Sequence, residues 1–302
     1  MSNTFAALKK TRTSSFDKLN EQLQKSTGKQ QYSDDENYWK PEVDKGGNGY
    51  AILRFLPAPE GEEFPYVKVY DHGFKGPGGW YIERSLNTLG QTDPVSEYRG
   101  KLYNSGNESD KKLAGEYKRR TYFHSNIYVV KDAANPQNEG KVFLFKYGKK
   151  IMEKLLEAMN PQFEGESPVN PFDLWEGADF RLKIRNYEGY RNYDRSDFAK
   201  QGPITGLKDE ALSDDQLEAI WKQEYSLQAI MDPKNFKPYD ELKTKFYKVI
   251  GLNGETHQHS TAEQNSETSF KSEKESPPRK TEETSVDDDD ALDFFKSLAQ
   301  EN

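Results

Sequence analysis

Between Glu116 and Val130 the chain reads EYKRRTYFHSNIYVV, which sets Lys118, Arg119 and Arg120 between Tyr117 and Tyr122 and adds Phe123, His124 and Tyr128. Aromatic faces stack on flat π-systems and cations neutralise phosphates, so the mixture suits an unpaired strand of nucleotides. A half-buried β-strand with a basic rim explains this stretch equally well when it is taken alone.

Two more stretches repeat the combination. In KVFLFKYGKK (141–150), Phe143, Phe145 and Tyr147 alternate with Val142, Leu144 and Lys146 ahead of Lys149 and Lys150. Alternate residues of a strand share a face, so these aromatics belong on one side. In RLKIRNYEGYRNYDR (181–195), Arg181, Lys183 and Arg185 fall at period two, and Tyr187, Tyr190 and Tyr193 follow at period three. Each stretch alone reads more readily as an edge strand with solvated cations, but three in a chain with 18 Tyr and 17 Phe point to a binding surface. Base stacking contributes on the order of 1–3 kcal/mol per base whatever the base, and Lys and Arg add a salt-dependent phosphate term. Such a surface grips a strand without reading it. The stacking or flanking candidates are Tyr98, Tyr103, Tyr117, Tyr122, Phe145, Tyr147, Tyr187, Tyr190 and Tyr193. The phosphate candidates are Lys118, Arg119, Arg120, Lys146, Lys149, Lys150, Arg181, Lys183 and Arg185.

Catalytic patterns are poor by comparison, and the chain reads as a binding protein rather than an enzyme. No GxxxxGK[ST] loop occurs, and GPGGW (76–80) is a turn rather than a dinucleotide fingerprint. His72 and His124 have no nucleophile or paired carboxylates in their local sequence, and the DDDD run (287–290) reads as a solvated charge run.

The elements that must position these residues are short. YAILRFLP (50–57), FPYVKVYDHGF (64–74) and GWYIERS (79–85) read as strands separated by Pro/Gly-rich turns. Residues 86–116 are polar and turn-rich and read as an irregular excursion. Strands resume at 121–131 and 141–147, and a helix is expected over 149–159, where Ile151, Leu155 and Met159 repeat at i+4. Another strand and turn follow at 178–194, and helical patterns in DEALSDDQLEAIWKQ and YDELKTKFYKVI close the core near Ile250. The expected class is α+β: a small, partly open OB-type barrel with an inserted irregular subdomain and additional helices, a sandwich being the alternative.

Charge divides the chain. Residues 253–302 hold 13 Asp/Glu and 5 Lys/Arg, which accounts for the whole net charge of −8 and leaves residues 1–252 neutral. Residues 1–31 carry six Lys/Arg against Asp17 and Glu21. We therefore expect a basic arm (1–31), a core (32–252) and a disordered acidic tail (253–302). Mean hydropathy of −1.04 agrees with partial disorder. The absence of cysteine excludes disulfides and thiolate metal sites, and no apolar run approaches the roughly 20 residues of a membrane span. The opening residues lack a signal-peptide core, so a soluble intracellular protein is expected.

Seven stretches in order, GNGYAILRFLP (47–57), DHGFKGPGGWYIE (71–83), KLYN (101–104), EYKRRTYFHSNIYVVKD (116–132), NPQNEGKVFLFKYGKKI (135–151), PFDLWEGADFRLKI (171–184) and NYDRSDF (192–198), carry a family resemblance. The chain resembles the single-stranded DNA-binding, helix-destabilising proteins of T-even-type phages, the gene-32 product family, over roughly residues 36–200.

The resemblance implies an OB-fold core with a basic, aromatic-lined cleft for single-stranded DNA, and a protein acting in the cytoplasm of an infected bacterial host. It implies a basic arm for head-to-tail self-association, represented by Lys9, Lys10, Thr11, Arg12 and Thr13, with a second copy of that signature at Lys118 to Tyr122. It also implies an acidic tail that contacts phage replication and recombination proteins. In SVDDDDALDFFKSLA (285–299), Asp287, Asp288, Asp289 and Asp290 precede Leu292, Phe294, Phe295 and Leu298, which fit one apolar face of a short helix. T-even members hold a zinc ribbon through one His and three Cys. Here His72 remains, Ser85 and Ser96 align with two of the cysteines and the third is missing, so no structural zinc is expected. An RNA-binding translational repressor, an interaction scaffold and a nuclease remain the alternatives.

Overall fold

The computed structural model describes residues 37–163, 165–206 and 210–252. The expected arm and tail, including Lys9 to Thr13 and Asp287 to Leu298, lie outside the described residues.

Nine strands form one mixed sheet: β1 (Tyr38–Trp39), β2 (Gly49–Phe55), β3 (Val67–Gly76), β4 (Gly79–Arg84), β5 (Arg120–Asp132), β6 (Val142–Gly148), β7 (Phe180–Tyr187), β8 (Tyr190–Asn192) and β9 (Asp197–Phe198). The strand order is β1-β6-β5-β2-β7-β8, with β3 on β5, β4 on β3 and β9 on β7. Only β1 and β6 pair in parallel. The long β5 is the spine. Along one edge it pairs first with β3, through Arg120 to His124, and then with β2, through Ile127 to Asp132. Strand β6 runs along its other edge from Tyr122 to Tyr128. A register shift between Ile52 and Leu53 of β2 leaves Val130 of β5 as an extra residue, a bulge of the kind that bends the strand carrying it. Among the described residues no pairing joins β1 to β8, so the hydrogen-bonded path is that of an open sheet.

The residue pattern explains which face is inside. In β7, Phe180, Leu182 and Ile184 are buried and alternate with Arg181, Lys183 and Arg185. They join Leu53, Phe55, Ile127, Val129, Phe145 and Tyr147 in the main core. Helix α3 (Lys149–Met159) covers that core through Ile151, Met152 and Leu155; Ile151 and Leu155 keep the expected i, i+4 spacing, whereas Met159, its third expected member, is exposed beyond the core.

The excursion is where the sequence reading needs correction. Instead of irregular chain it contains α1 (Pro94–Tyr103) and α2 (Glu108–Glu116). Both start on a side-chain cap: Asp93 accepts from the N–H groups of Val95 and Ser96, and Asn107 accepts from that of Ser109. Pro94 stands at the first helical position, where its missing N–H costs nothing. The weak amphipathicity of these helices hid them.

Helix α4 (Asp214–Trp221) and helix α5 (Tyr239–Ile250) fall within the two expected segments. Phe246 of α5 is fully buried against Phe74, Tyr81, Tyr98 and Tyr117, the centre of a second core under the β3–β4 hairpin. The GPGG turn of that hairpin docks on the end of α5. Gly78 N–H donates to the Val249 carbonyl at 2.8 Å, and a Cβ at Gly78 would stand 2.1 Å from the Lys248 carbonyl oxygen. The turn is therefore glycine-rich because two backbones touch there.

Arg54, read within a strand, is 1% exposed. Its guanidinium donates to Asp179 Oδ1 (2.8 Å) and to the carbonyls of Asp173 (3.1 Å) and Gly202 (3.0 Å), tying the chain on either side of β7 to β2.

Candidate nucleic-acid interface

The first half of β5 lies between β3 and β6, and its register collects cations from four segments. Tyr122 is half-buried, and Lys146 Nζ of β6 stands 3.9 Å from the centre of its ring. That ammonium also reaches Asp71 Oδ2 of β3 at 2.6 Å. Asp71 in turn pairs in register with Arg120 of β5 and Arg84 of β4. Arg120 is exposed and donates to the Gly73 carbonyl at 2.7 Å. On the neighbouring β3 position, Tyr70 carries Arg119 at 4.1 Å and Lys68 at 5.0 Å from its ring centre. Asp71 thus takes Lys146, while the guanidinia at its register partners donate to the Gly73 and Ile230 carbonyls; Tyr122 shares the Lys146 ammonium, and Tyr70, one position along β3, carries its own cations, Arg119 and Lys68. Lys118 and Lys149 are half-buried beside this strand region in sequence, and exposed Lys150 pairs with Glu153 at 3.2 Å.

The third stretch is arranged differently. Arg181, Lys183 and Arg185 do share the outward face of β7, but carboxylates have followed them. Asp197 takes Arg181 through two bonds of 3.0 and 2.6 Å and Lys183 at 3.1 Å, while Asp194 takes Arg185 at 3.0 and 2.5 Å. The Arg185 hydrogen bonds hold the Asp194 carboxyl below its usual range. Tyr187 and Tyr190 face each other across a tight turn at Glu188 and Gly189, both with positive φ, and are 50% and 47% exposed. Tyr50 of β2 lies in register beside Lys183.

Several stacking candidates are core residues. Phe145 and Tyr147 are 2% and 3% exposed in the main core, where the Tyr147 hydroxyl lies 2.9 Å from Ser125 Oγ. Tyr117 is buried in the second core against Phe74 and Phe246, and burial pushes its hydroxyl pKa up. Tyr98 packs on the same Phe246 ring, and half-buried Tyr193 packs on the main core. Their rings are spent on packing and are not offered to a base. Tyr103 is exposed at the C-terminal end of α1. Lys68, Tyr70 and Arg84 were missed. Lys68 and Tyr70 sit at period two in FPYVKVYDHGF, so the criterion applied to the other stretches would have found them.

His124 lies in register with Lys146, 3% exposed, with Nδ1 2.7 Å from the Tyr38 hydroxyl. Burial, then the charges of Lys146 and Arg84, lower its pKa from the ordinary 6.5 to about 3. The imidazole is neutral in the fold and protonates more readily in the unfolded chain. Its contribution is therefore complete above pH 6.5 and is lost as pH falls toward 3, at about 1.4 kcal/mol per pH unit. Urea unfolding at pH 6.5 and pH 5 should show wild type losing about 2 kcal/mol more than His124→Gln. Parallel losses in the two proteins would exclude a neutral buried imidazole.

The class that this geometry defines is a mixed-sheet α+β domain whose long strand is lined by cations in contact with tyrosine rings. Residues 47–250 match the family model described as "gp32 DNA binding protein like", and the chain belongs to that family. It is similar to the single-stranded DNA-binding protein of Enterobacteria phage T2, 41% identical over 224 residues and covering 72% of each chain. It is equally similar to that of Enterobacteria phage T4, 40% identical over 236 residues and 76% of each chain. The family expected from the sequence is the one found. Both relatives are named for binding, and no helix among the described residues is long and apolar enough to cross a membrane.

Proposed function

We propose that the protein binds single-stranded DNA cooperatively and without sequence preference, and coats intermediates of phage replication, recombination and repair in the cytoplasm of the infected host. The observation that carries this reading is the pair of cation–tyrosine contacts, Lys146 on Tyr122 and Arg119 on Tyr70, within a net-positive strand region. Duplex DNA hides its base faces, so preferential binding of the open strand lowers that strand's free energy and favours melting by mass action. Lys118, Arg119, Arg120, Tyr122, Lys146 and Lys149, with Lys68, Tyr70 and Arg84, form the primary contact region in this proposal. Tyr187 and Tyr190 form a flanking one. The OB-type reading of the core belongs to the same proposal, supported by the bulge at Val130 in β5 and by a β5 shared between β3 and β2 on one edge.

In this reading residues 1–31 contact the next protein along the strand. The acidic tail competes with DNA for the cationic region and recruits replication and recombination proteins when displaced. Fluorescence titration with poly(dT) over a salt series, with matched duplex and RNA as controls, tests the whole. Steeply salt-dependent quenching by the single DNA strand alone is expected, with tighter binding at low salt once residues 253–302 are removed. Equal binding to duplex would overturn the function, preference for RNA would favour a repressor, and unchanged affinity after truncation would overturn the competition.

A further inference from the structure

The turn between β4 and α1 joins the Arg119–Tyr70 contact to a buried polar cluster. Asp93, which caps α1, is 1% exposed, as is His72, and Ser85 is fully buried. Asp93 Oδ1 accepts from the N–H groups of Val95 and Ser96, both at 3.0 Å, and from His72 Nε2 at 3.0 Å. Its Oδ2 accepts from the Ser85 hydroxyl at 3.0 Å and from Leu86 N–H at 3.1 Å. Burial alone would raise the Asp93 pKa, but the hydrogen bond and charge of His72, with the Ser96 and Ser85 donors, bring it below its usual value. A carboxylate accepts only, so the proton of His72 is on Nε2.

These residues do not suit the zinc ion of the T-even members. Tetrahedral zinc takes four N, S or carboxylate ligands. Here there is a single imidazole, its Nε2 is committed to Asp93, and both Asp93 oxygens are saturated by hydrogen bonds. Among the described residues no group of three His, Cys, Asp or Glu could hold a metal ion.

What the cluster holds instead is Asn87. The side-chain Oδ1 of Asn87 accepts from the Ser96 hydroxyl (2.5 Å) and from Arg119 Nη1 (3.3 Å), with Ser85 Oγ 3.2 Å away. Its amide nitrogen donates to the Gln91 carbonyl at 3.2 Å. The next residue, Thr88, holds Tyr70 by its backbone: Tyr70 N–H donates to Thr88 Oγ1 at 2.9 Å, and the Thr88 hydroxyl donates back to the Tyr70 carbonyl at 3.3 Å. One short turn therefore fixes both members of the Arg119–Tyr70 contact.

We infer that Asn87 is a positioning residue for Arg119, anchored by a metal-free His72–Asp93–Ser85 cluster, and that its neutrality matters as much as its reach. The inference rests on the proposed placement of Arg119 in the DNA interface. A free arginine side chain loses rotamer entropy on being fixed, and a side chain already fixed loses less on binding. Asn87 occupies only part of the five-donor guanidinium and leaves the charge uncompensated, so the remaining donors serve a phosphate. Asp197 on Arg181 shows the contrary arrangement, in which a carboxylate cancels the cation.

The test is a double-mutant cycle in the full chain, read as poly(dT) affinity against salt. Asn87→Ala is expected to weaken binding three- to tenfold in the wild-type background and to have no further effect beside Arg119→Ala. Asn87→Asp keeps the acceptor toward Ser96 and Arg119 and gives up the amide donor to the exposed Gln91 carbonyl. It is expected to weaken binding and flatten the salt dependence, because its carboxylate pairs off the guanidinium. Equal losses from Asn87→Ala in both backgrounds would show a structural role only, and an unaltered Asn87→Asp would overturn the charge argument. If Arg119→Ala alone leaves affinity unchanged, the interface reading fails, and this inference falls with it. Should Asn87→Ala fail to fold, the Asn87→Asp salt series decides.

Discussion

Alanine at both Arg119 and Tyr122 is expected to weaken binding of the full chain to poly(dT) by roughly two to three orders of magnitude at low salt. The estimate combines one lost stacking face, about 1–3 kcal/mol, with one lost phosphate partner. The salt slope should fall by about 0.7 for that phosphate, which separates loss of a charge contact from loss of fold. Tyr122 and Arg119 are suited to this because neither is consumed by the core. The ring of Tyr122 is half-buried and carries Lys146, and Arg119 lies over Tyr70 with a neutral acceptor at 3.3 Å. Arg181→Ala supplies the contrast. That guanidinium is doubly bonded to Asp197, so its removal should change affinity by less than about threefold, in the range of exposed ion pairs. Affinity that falls as far in Arg181→Ala as in the double variant would mean that the β7 face, not the β5 region, receives the strand.

Arg54→Met should destabilise the core by about 3–5 kcal/mol, the usual result of removing one partner from a buried pair. Asp179 is itself only partly shielded at 20% exposure, which favours the lower end of that range. The loss has a second component, because the carbonyls of Asp173 and Gly202 would be left without their donor. Urea unfolding should show the midpoint moving down with an unchanged slope. A shift worth less than about 1 kcal/mol would mean that the loop carbonyls find water instead, and that Arg54 is a passenger in the fold.

Both predictions depend on distinctions that strand alternation does not make. It places Phe143, Phe145 and Tyr147 on one side of β6, and Arg181, Lys183 and Arg185 on one side of β7, and both groupings are present in the fold. It does not say which side is inside. The apolar ring that would stack on a base is drawn equally to a hydrophobic core, so Phe145 and Tyr147 became core while Tyr70 and Tyr122 became surface. Arg54 shows the reverse, a cation taken inside because Asp179 and loop carbonyls far along the chain come to meet it.

The sequence by itself determined what depends on neighbours a few residues apart: the helices at Lys149–Met159 and Tyr239–Ile250 through i, i+4 repeats, the strands through period two, the turns through glycine and proline, and the family through its ordered motifs. It also contained the caps Asp93 and Asn107, whose helices were overlooked because little apolar periodicity follows them. Only the tertiary structure decided which cations keep their charge for a ligand. Around β5, Asp71 takes Lys146 and the neutral Asn87 reaches Arg119 across 32 positions, whereas Asp197 and Asp194 compensate the cations of β7. Electrostatic compensation acts through space at a few ångströms, and spacing along the chain does not reveal which carboxylate the fold will bring within that distance.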